Sequence, residues 1–321
     1  MRARLGPAAA ATALALAWAA VVGAPTAAPA QRLDPHASVS SDGSDVSPAP
    51  RTTLRGVQGF AGTARLVADR TAAEPGAAPL LSPGEEDGVH PETVIGTDDR
   101  VRVTPTTAYP ARAVALVTLK QGGFSLTCTA WMIGPDTAAT AGHCVHSGGT
   151  TGQFSTSVRV FPGRNAGSGP YGSCAARRLY TTVGWASLRD ERYDYGAIKL
   201  ACTIGTVTGW FGFFAQTATL TGVEQRINGY PDDKRLTQWR NDDRIRLSLT
   251  DQLFYEADTL GGMSGSPVYQ PARVGRFCTG VCAIAIHGYG VHGAPPHGTS
   301  NHGTRITPAV FDNLRAWRDA P

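Results

Sequence analysis

Three short segments, far apart in the chain, carry residue types that together could activate a hydroxyl group as a nucleophile. They are Thr140-Ala141-Gly142-His143-Cys144, Tyr193-Asp194-Tyr195-Gly196-Ala197-Ile198 and Gly261-Gly262-Met263-Ser264-Gly265-Ser266-Pro267. A serine hydroxyl becomes a good nucleophile when a base takes its proton, and imidazole suits that task because its pKa lies near neutrality. A buried carboxylate fixes the tautomer of the imidazole and stabilises its charged form. The segments therefore predict Ser264 as nucleophile, His143 as base and Asp194 as the partner of the base.

The glycines before the serine predict a site for the charge that develops on the attacked carbonyl oxygen. Backbone N–H groups can hold such an oxyanion, and glycine permits the tight backbone that brings them together. Gly262 and Ser264 are the predicted donors. The chain order histidine, aspartate, serine is that of the chymotrypsin fold and differs from the orders of the subtilisin and α/β-hydrolase folds. A single motif of this kind could be structural, but three in this order favour acyl-transfer chemistry.

Other aspartates are alternative partners for the histidine, namely Asp190, Asp232 and Asp233. Asp194 is preferred because it comes just before an apolar run at 197–200, which would bury its carboxylate. Asp190 instead lies in the charged stretch 189–192, which indicates contact with solvent.

The elements that must position these residues are predicted to be short β-strands. Many β-rich runs separated by Gly, Pro, Asp and Asn are typical of an all-β sandwich or barrel. The predicted strands include residues 113–119, 158–161, 195–200, 244–250, 253–257 and 283–287. One helix is predicted at the C-terminus, with Thr307 as its cap, Pro308 at its first position, and an apolar face of Val310, Phe311, Leu314 and Trp317.

The composition excludes several classes of protein. A length of 321 residues allows one or two domains. The 38 glycines, 22 prolines and 17% charged residues argue against a long-helix or coiled-coil protein. A net charge of +4 is too small and too evenly distributed to indicate nucleic-acid binding.

The N-terminal part of the chain is typical of an exported precursor. Arg2 and Arg4 precede an apolar run over residues 7–22, and small residues follow, which predicts a signal peptide over 1–30. A membrane anchor is the alternative, but the run is short and rich in alanine. Residues 31–92 hold one aromatic residue, seven prolines and seven glycines, which predicts a flexible pro-segment or linker.

All six cysteines lie in the remaining part, residues 93–321. An even number of cysteines in a secreted chain predicts disulfides rather than metal ligands or redox centres. A bond between Cys128 and Cys144 would close a loop beside His143 and restrict the unfolded chain.

At these residues the chain resembles the secreted bacterial glutamyl endopeptidases, which are chymotrypsin-fold serine proteases. The similarity covers nearly all of residues 93–321. Besides the segments above, it includes Val94-Ile95-Gly96-Thr97-Asp98-Asp99-Arg100, Trp131-Met132-Ile133-Gly134-Pro135, Gly265-Ser266-Pro267-Val268 and Gly303-Thr304-Arg305-Ile306-Thr307. The resemblance implies an all-β fold of two six-stranded antiparallel β-barrels with a C-terminal α-helix, and the catalytic roles of His143, Asp194 and Ser264. It also implies a Cys278–Cys282 disulfide, which leaves Cys174 and Cys202 for each other.

The resemblance further implies a pocket for the substrate's glutamate side chain. In this family a histidine and a threonine receive that side chain, and the matching positions here are His287 and Thr259. A protonated imidazole would give the carboxylate a charge-assisted hydrogen bond. The following segment, Gly288-Tyr289-Gly290, is expected to pair with an extended substrate as an added strand.

Asp258 is also compatible with a second substrate specificity, for Lys or Arg. It lies six residues before Ser264, where trypsin-like enzymes carry the aspartate that selects Lys or Arg. Some glutamyl endopeptidases also carry an aspartate there, so the residue alone does not decide between the two specificities.

Maturation near the start of the similar region is also predicted. The Glu92–Thr93 bond directly precedes Val94, and an enzyme that cuts after glutamate could cut itself there. Met263 stands where the animal enzymes carry an aspartate that pairs with the new N-terminus, so activation needs other contacts.

No metal or cofactor is expected. His287, His292, His297 and His302 recur every five residues, but that spacing suits neither a helix face nor one side of a strand. We expect a secreted, monomeric serine endopeptidase that cuts polypeptides after Glu and less after Asp, with no nucleic-acid partner and no membrane partner after signal removal. A catalytically silent homologue that only binds proteins is the competing class, and the intact His143, Asp194 and Ser264 argue against it.

Overall fold

The computed structural model describes residues 1, 33–44, 55–64 and 92–321. The described residues from Leu33 onward form one compact unit. The predicted signal peptide lies, apart from Met1, outside the described residues.

Strands dominate the described part of the chain. The strands of its first half are β1 (Ser38–Ser40), β2 (Gly56–Val57), β3 (Val101–Arg102), β4 (Val114–Gln121), β5 (Phe124–Met132), β6 (Thr137–Thr140), β7 (Thr156–Pro162), β8 (Cys174–Thr182) and β9 (Gly196–Leu200). Those of its second half are β10 (Gly212–Phe214), β11 (Glu224–Gly229), β12 (Trp239–Arg244), β13 (Leu247–Ser248), β14 (Gln252–Tyr255), β15 (Pro267–Arg273), β16 (Gly280–Tyr289) and β17 (Asn301–Arg305). The α-helices are α1 (Val183–Leu188), α2 (Gly205–Thr208) and α3 (Pro308–Asp319).

The first sheet closes into a six-stranded antiparallel barrel. Its strand order is β7-β4-β5-β6-β9-β8, and β8 pairs with both β7 and β9 to close the ring. The β4–β5 hairpin turns at Gly122 and Gly123, which both have positive φ, as a two-residue turn between twisted strands requires. This barrel confirms the expected architecture.

The second sheet is a curled half-barrel. Its order is β13-β14-β17-β16-β15-β11-β12-β3, and β10 pairs in parallel with β16. Within the described residues its two outer strands, β13 and β3, do not pair, so it departs from the closed six-stranded barrel that was expected. Of the predicted run 244–250, only Leu247–Ser248 forms a strand of its own.

Parts of the predicted flexible segment are ordered against the barrels. Strand β1 pairs with β8, and β2 pairs with β10. The Asn313 side chain donates to the His36 carbonyl, and the Trp317 indole donates to Ser38. Residues 33–44 and 55–64 thus contribute strands that pair with both sheets, although they carry few apolar side chains.

The C-terminal helix forms as predicted and packs against β6 and β9 of the first barrel. The Thr307 hydroxyl accepts a hydrogen bond from the Val310 amide, and Pro308 occupies the first turn. The apolar face of α3 is buried in the larger core, beside Tyr180. All three expected disulfides are present: Cys128–Cys144, Cys174–Cys202 and Cys278–Cys282.

Candidate active site

The first barrel supplies His143 and Asp194 at one edge of its closed ring. His143 lies in a single 3₁₀ turn, Gly142–Cys144, just after β6, and the Cys128–Cys144 disulfide ties this turn to β5. Asp194 follows a second 3₁₀ turn, Glu191–Tyr193, just before β9. A side chain at Gly142 would lie 2.7 Å from an Asp194 oxygen, so glycine there lets the two turns meet.

The Asp194 carboxylate receives hydrogen bonds from three donors. Its Oδ1 accepts the His143 amide at 2.7 Å, and its Oδ2 lies 2.6 Å from His143 Nδ1. The Tyr289 hydroxyl donates to Oδ2 at 2.5 Å. Asp194 is 1% exposed, and these donors replace the water that its charge has lost.

The same contacts fix the tautomer and the basicity of His143. Because a carboxylate accepts, Nδ1 carries the proton and Nε2 is left as the basic nitrogen. Burial is the largest effect and acts to lower the pKa of His143, but the charge and hydrogen bond of Asp194, together with the charges of Glu92 and Glu191, hold the pKa above its ordinary value. Among the described residues Nε2 has no hydrogen-bond partner. His143 is thus arranged to take a proton through Nε2.

Ser264 lies in a tight turn that leads into β15 of the second sheet. Thr129 of the first barrel holds this turn, because its amide donates to the Ser264 carbonyl at 2.8 Å and its hydroxyl donates to the Gly262 carbonyl at 2.9 Å. Gly262 has φ +92°, and a side chain there would lie 2.5 Å from the Tyr230 carbonyl oxygen. Only glycine fits this backbone, as expected for a residue that offers its N–H to an oxyanion.

The chain's own Glu92 occupies the space in front of Ser264. The Ser264 hydroxyl donates a short hydrogen bond to Glu92 Oε1, which also lies 3.9 Å from His287 Nε2. Glu92 is 4% exposed, and burial raises the pKa of its carboxyl to about 7 against the opposing effect of the Ser264 hydrogen bond. A glutamate side chain therefore lies between the predicted nucleophile and the predicted pocket histidine.

His287 lies on β16 and is completely buried. Its Nδ1 is 2.7 Å from the Tyr255 hydroxyl, and burial raises the pKa of that phenol well above its ordinary value, so the phenol keeps its proton. Burial also lowers the pKa of His287 well below its ordinary value. The neutral ring accepts from Tyr255 and carries its proton on Nε2, which differs from the protonated imidazole that was expected.

Two buried donors lack a hydrogen-bond acceptor among the described residues. Among the described residues, neither His287 Nε2 nor the Thr259 hydroxyl makes a hydrogen bond, and both residues are 0% exposed. A buried donor without an acceptor costs about 1–3 kcal/mol. A ligand that brings acceptor oxygens to them removes this cost.

The Asp258 carboxylate binds backbone amides of the segment that follows Glu92. Its Oδ1 accepts the Ile95 amide at 2.8 Å and its Oδ2 accepts the Asp99 amide at 3.0 Å. It is 2% exposed, and burial raises its pKa. Both oxygens are thus used to hold residues 95–99, which argues against a role in binding a basic side chain.

The alternative aspartates lie in other contacts. Asp190 pairs with Arg192, Asp233 pairs with Arg100, and Asp232 accepts from the Thr127 hydroxyl. None of the three contacts His143 in the described structure, whereas Asp194 does.

The predicted substrate-pairing segment Gly288-Tyr289-Gly290 stays a prediction for its backbone, but the Tyr289 side chain has a different place. It is 1% exposed and supports Asp194. Sequence reasoning missed two residues, Tyr255, which orients His287, and Asn301, which binds the backbone of Thr93. The side-chain amide of Asn301 accepts from the Thr93 N–H at 3.2 Å and donates to the Thr93 carbonyl at 2.6 Å. No local motif marks either residue, because each acts across the sheet.

The five-residue spacing of the histidines does not keep them apart. The loop between β16 and β17 folds back, and the rings of His292, His297 and His302 lie 4.8–5.2 Å from one another between centroids. Glu191 joins them from the turn before Asp194. His287 is not part of this group.

The chain is similar to known proteases in its family match, in sequence and in structure. A family model described as Trypsin matches residues 100–290. A glutamyl endopeptidase of Bacillus licheniformis is 44% identical over 230 residues, which cover 71% of this chain and 70% of that protein. A Bacillus subtilis protein named extracellular metalloprotease is 37% identical over 233 residues, 71% of each chain. A solved structure of Glu endopeptidase in complex with MPD covers 70% of this chain and 99% of its own, with a TM-score of 0.61 and 27% identity.

Proposed function

This chain belongs to the trypsin family of chymotrypsin-fold serine proteases and is a homologue of glutamyl endopeptidase, and on that premise we propose that it is a secreted endopeptidase that cleaves polypeptides after glutamate through His143, Asp194 and Ser264. The proposal includes removal of residues 1–30 as a signal peptide and of residues 31–92 as a pro-segment, and a monomeric enzyme without a nucleic-acid or membrane partner. Among the described residues, no helix has the length and apolar character to cross a membrane.

The proposed reaction begins once Glu92 has left the site. Ser264 Oγ attacks the substrate carbonyl carbon while its proton passes to His143 Nε2, and the Gly262 and Ser264 N–H groups bind the oxyanion. Asp194 stabilises the imidazolium. The C–N bond then breaks as His143 gives the proton to the leaving amine, and an acyl-enzyme remains. Water, activated by the same histidine, releases the acid product and restores Ser264.

The observation that carries the proposed specificity is the placement of Glu92. Its carboxylate is buried, contacts the nucleophile, and lies 3.9 Å from His287 Nε2, whose proton has no hydrogen-bond acceptor among the described residues. The unpaired Thr259 hydroxyl is the second donor that a carboxylate would satisfy. A lysine or arginine side chain offers only donors, so the Thr259 hydroxyl could accept from it, but the Nε2 proton of His287 would stay without an acceptor. The pocket chemistry therefore favours glutamate over the alternative that Asp258 raised.

The same placement suggests how the precursor is held inactive. The atom in front of Ser264 is a side-chain oxygen of Glu92, not the carbonyl carbon of the Glu92–Thr93 bond. This arrangement blocks the nucleophile, and cleavage of that bond needs either a rearrangement or a second molecule. Because the pKa of Glu92 is about 7, the block weakens as the pH rises through that value and the buried carboxyl ionises.

Paired peptides test the specificity. Peptides that differ only in Glu, Gln or Lys before the scissile bond are incubated with mature enzyme and with the Ser264→Ala variant. We expect the Glu peptide to be cut fastest and the variant to lose turnover by about 10⁴-fold or more. Faster cleavage after Lys overturns the glutamate pocket, and cleavage by Ser264→Ala overturns the nucleophile.

N-terminal sequencing tests the proposed maturation. The secreted wild-type protein should begin near Thr93, and trace wild-type enzyme should convert the Ser264→Ala precursor to the same start. A matched Glu92→Gln precursor should be converted much more slowly. A mature start far from residues 92–95 contradicts the proposed boundary.

A further inference from the structure

A cluster of imidazoles and one carboxylate lies next to Asp194 but outside the proposed reaction. We call Glu191, His292 and His302 the His–Glu cluster. Glu191 Oε1 is 3.1 Å from His292 Nε2, and Glu191 Oε2 is 3.2 Å from His302 Nε2. All three ligand atoms lie within 4.8 Å of one another. The side chains of His292 and His302 are 14% and 1% exposed, so the cluster is largely shielded from water.

The tautomer of His292 is fixed by a backbone group. Its Nδ1 lies 3.0 Å from the Gly290 carbonyl oxygen, which can only accept, so Nδ1 carries a proton. In the neutral ring, Nε2 then directs a lone pair toward the Glu191 carboxylate 3.1 Å away. Two electron-rich atoms at this distance repel each other unless a positive charge lies between them, either a proton, which makes His292 an imidazolium, or a metal ion. An imidazole that donates Nδ1–H to a backbone carbonyl and presents Nε2 is the usual arrangement of a metal-bound histidine.

The position of His302 is fixed by packing. Its ring stacks on Tyr289 and on Phe254, at centroid distances of 5.1 Å in both cases. Its Nδ1 is buried and has no hydrogen-bond partner among the described residues. The ring is therefore held in place by its neighbours with Nε2 toward Glu191, and this second ligand needs little ordering when an ion binds.

The spacing of these groups matches a small divalent cation. In a tetrahedral zinc site with bonds of about 2.1 Å, neighbouring ligand atoms are about 3.4 Å apart and neighbouring imidazole centroids about 5 Å apart. His292 Nε2 lies 3.1 Å from Glu191 Oε1 and His302 Nε2 lies 3.2 Å from Glu191 Oε2, so each imidazole faces a different carboxylate oxygen. These distances and the His292–His302 centroid distance of 5.2 Å are close to the zinc values when both carboxylate oxygens face the ion. We propose that Glu191, His292 and His302 bind one Zn²⁺ ion. Two imidazoles and a carboxylate suit zinc better than calcium or magnesium, which prefer oxygen ligands.

The proposed ion has a structural role. Glu191 belongs to the turn that carries Asp194 in the first barrel, whereas His292 and His302 belong to the β16–β17 loop region of the second sheet. Zinc would join the two halves of the molecule beside Asp194. It lies outside the peptide-bond chemistry, so the site does not depend on the substrate specificity proposed above.

Metal binding is measured on the full chain with Ser264→Ala, purified without a histidine tag, so that self-digestion does not affect the result. The protein is stripped with EDTA and titrated with Zn²⁺ against a chromophoric chelator, and the bound metal is counted by mass spectrometry. We expect one ion per chain at the site. His292→Gln and Glu191→Gln should each weaken its affinity by about 10-fold or more. His146→Gln is the matched control, because His146 is a buried histidine that contacts Phe154 and the Gly148 amide instead of the cluster.

Thermal unfolding supplies a second readout that needs no activity. Zn²⁺ should raise the Tm of the His146→Gln protein and leave that of His292→Gln almost unchanged, since an ion stabilises only a fold that binds it. The proposal is overturned if the stripped protein takes up no Zn²⁺ at millimolar concentration. It is also overturned if a folded His292→Gln protein binds zinc as tightly as the control.

Discussion

The two halves of the molecule each contribute a fully buried histidine to the candidate active site, and these two histidines behave in opposite ways. His143 in the first barrel is 1% exposed and its pKa is raised, whereas His287 in the second sheet is 0% exposed and its pKa is lowered. Burial acts in the same direction on both. The difference is the partner of Nδ1, which is the Asp194 carboxylate for His143 and the neutral Tyr255 hydroxyl for His287. Burial alone thus does not set the charge of a histidine, because neighbouring charges and hydrogen bonds oppose burial at His143, whereas the charges of His302 and His143 act in the same direction as burial at His287.

The largest expected effect comes from removing the charge beside His143. Asp194→Asn should lower kcat by about 10⁴-fold, because the amide cannot hold the imidazole in the reactive tautomer or stabilise its charge. The pKa of His143 should fall, and the acidic limb of the kcat–pH profile should move to lower pH. Steady-state kinetics on a Glu peptide measure both changes. Asp190→Asn is the control and should change neither, and a similar loss in both variants would contradict the assignment of Asp194.

The second effect concerns the neutral histidine. His287→Leu should lower kcat/KM for a Glu peptide by about 10- to 100-fold, since the substrate carboxylate would meet an apolar side chain and a lost charge-assisted hydrogen bond is worth about 1.5–3 kcal/mol. Cleavage of an otherwise identical peptide with Leu before the scissile bond should fall far less. Equal losses on both peptides would place His287 outside the specificity pocket.

A smaller effect is expected when the partner of His287 is changed. Tyr255→Phe removes the hydrogen-bond donor to His287 Nδ1. It should reduce kcat/KM for Glu peptides by about 10-fold, because the net contribution of one hydrogen bond is about 1 kcal/mol or slightly more. The ring is then free to change tautomer, so the loss should appear in KM as well as in kcat. Tyr230→Phe, another buried tyrosine that bonds Gln238 and the Arg164 carbonyl, is the control and should leave the Glu-to-Leu preference unchanged.

The smallest effect is on stability. Because the folded pKa of His287 lies below its unfolded value, the unfolded chain binds more protons, and this group makes the fold less stable as the pH falls below about 6.5. His143 has the opposite sign: its raised pKa stabilises the fold in acid, and that contribution is lost as the pH rises through the folded pKa. Denaturant unfolding of the Ser264→Ala protein between pH 5 and 8 should therefore show less acid sensitivity when His287→Gln is added. No change in slope would show that His287 titrates in the fold as it does in the unfolded chain.

Local patterns predicted those parts of the molecule that depend on neighbours in sequence. The cap and apolar face of α3, the strands around 158–161 and 283–287, and the chain order of His143, Asp194 and Ser264 all follow from residue type and spacing. The closed first barrel and the disulfides agree with what the family resemblance implied. The order of residues 33–44 was not foreseen, since the stability of β1 comes from β8, which lies more than a hundred residues away.

The sequence by itself determined which groups are available for chemistry, because a hydroxyl, an imidazole and a carboxylate have intrinsic reactivities that no fold creates. Tertiary structure alone decided which neighbouring group each of these reactive groups contacts. It placed Tyr255 against His287, Tyr289 against Asp194 and Glu92 against Ser264, and it gathered histidines that the sequence separates by five and ten residues around Glu191. The physical reason is that proton affinity and hydrogen bonding depend on distances of about 3 Å, and only the packing of the two sheets sets those distances.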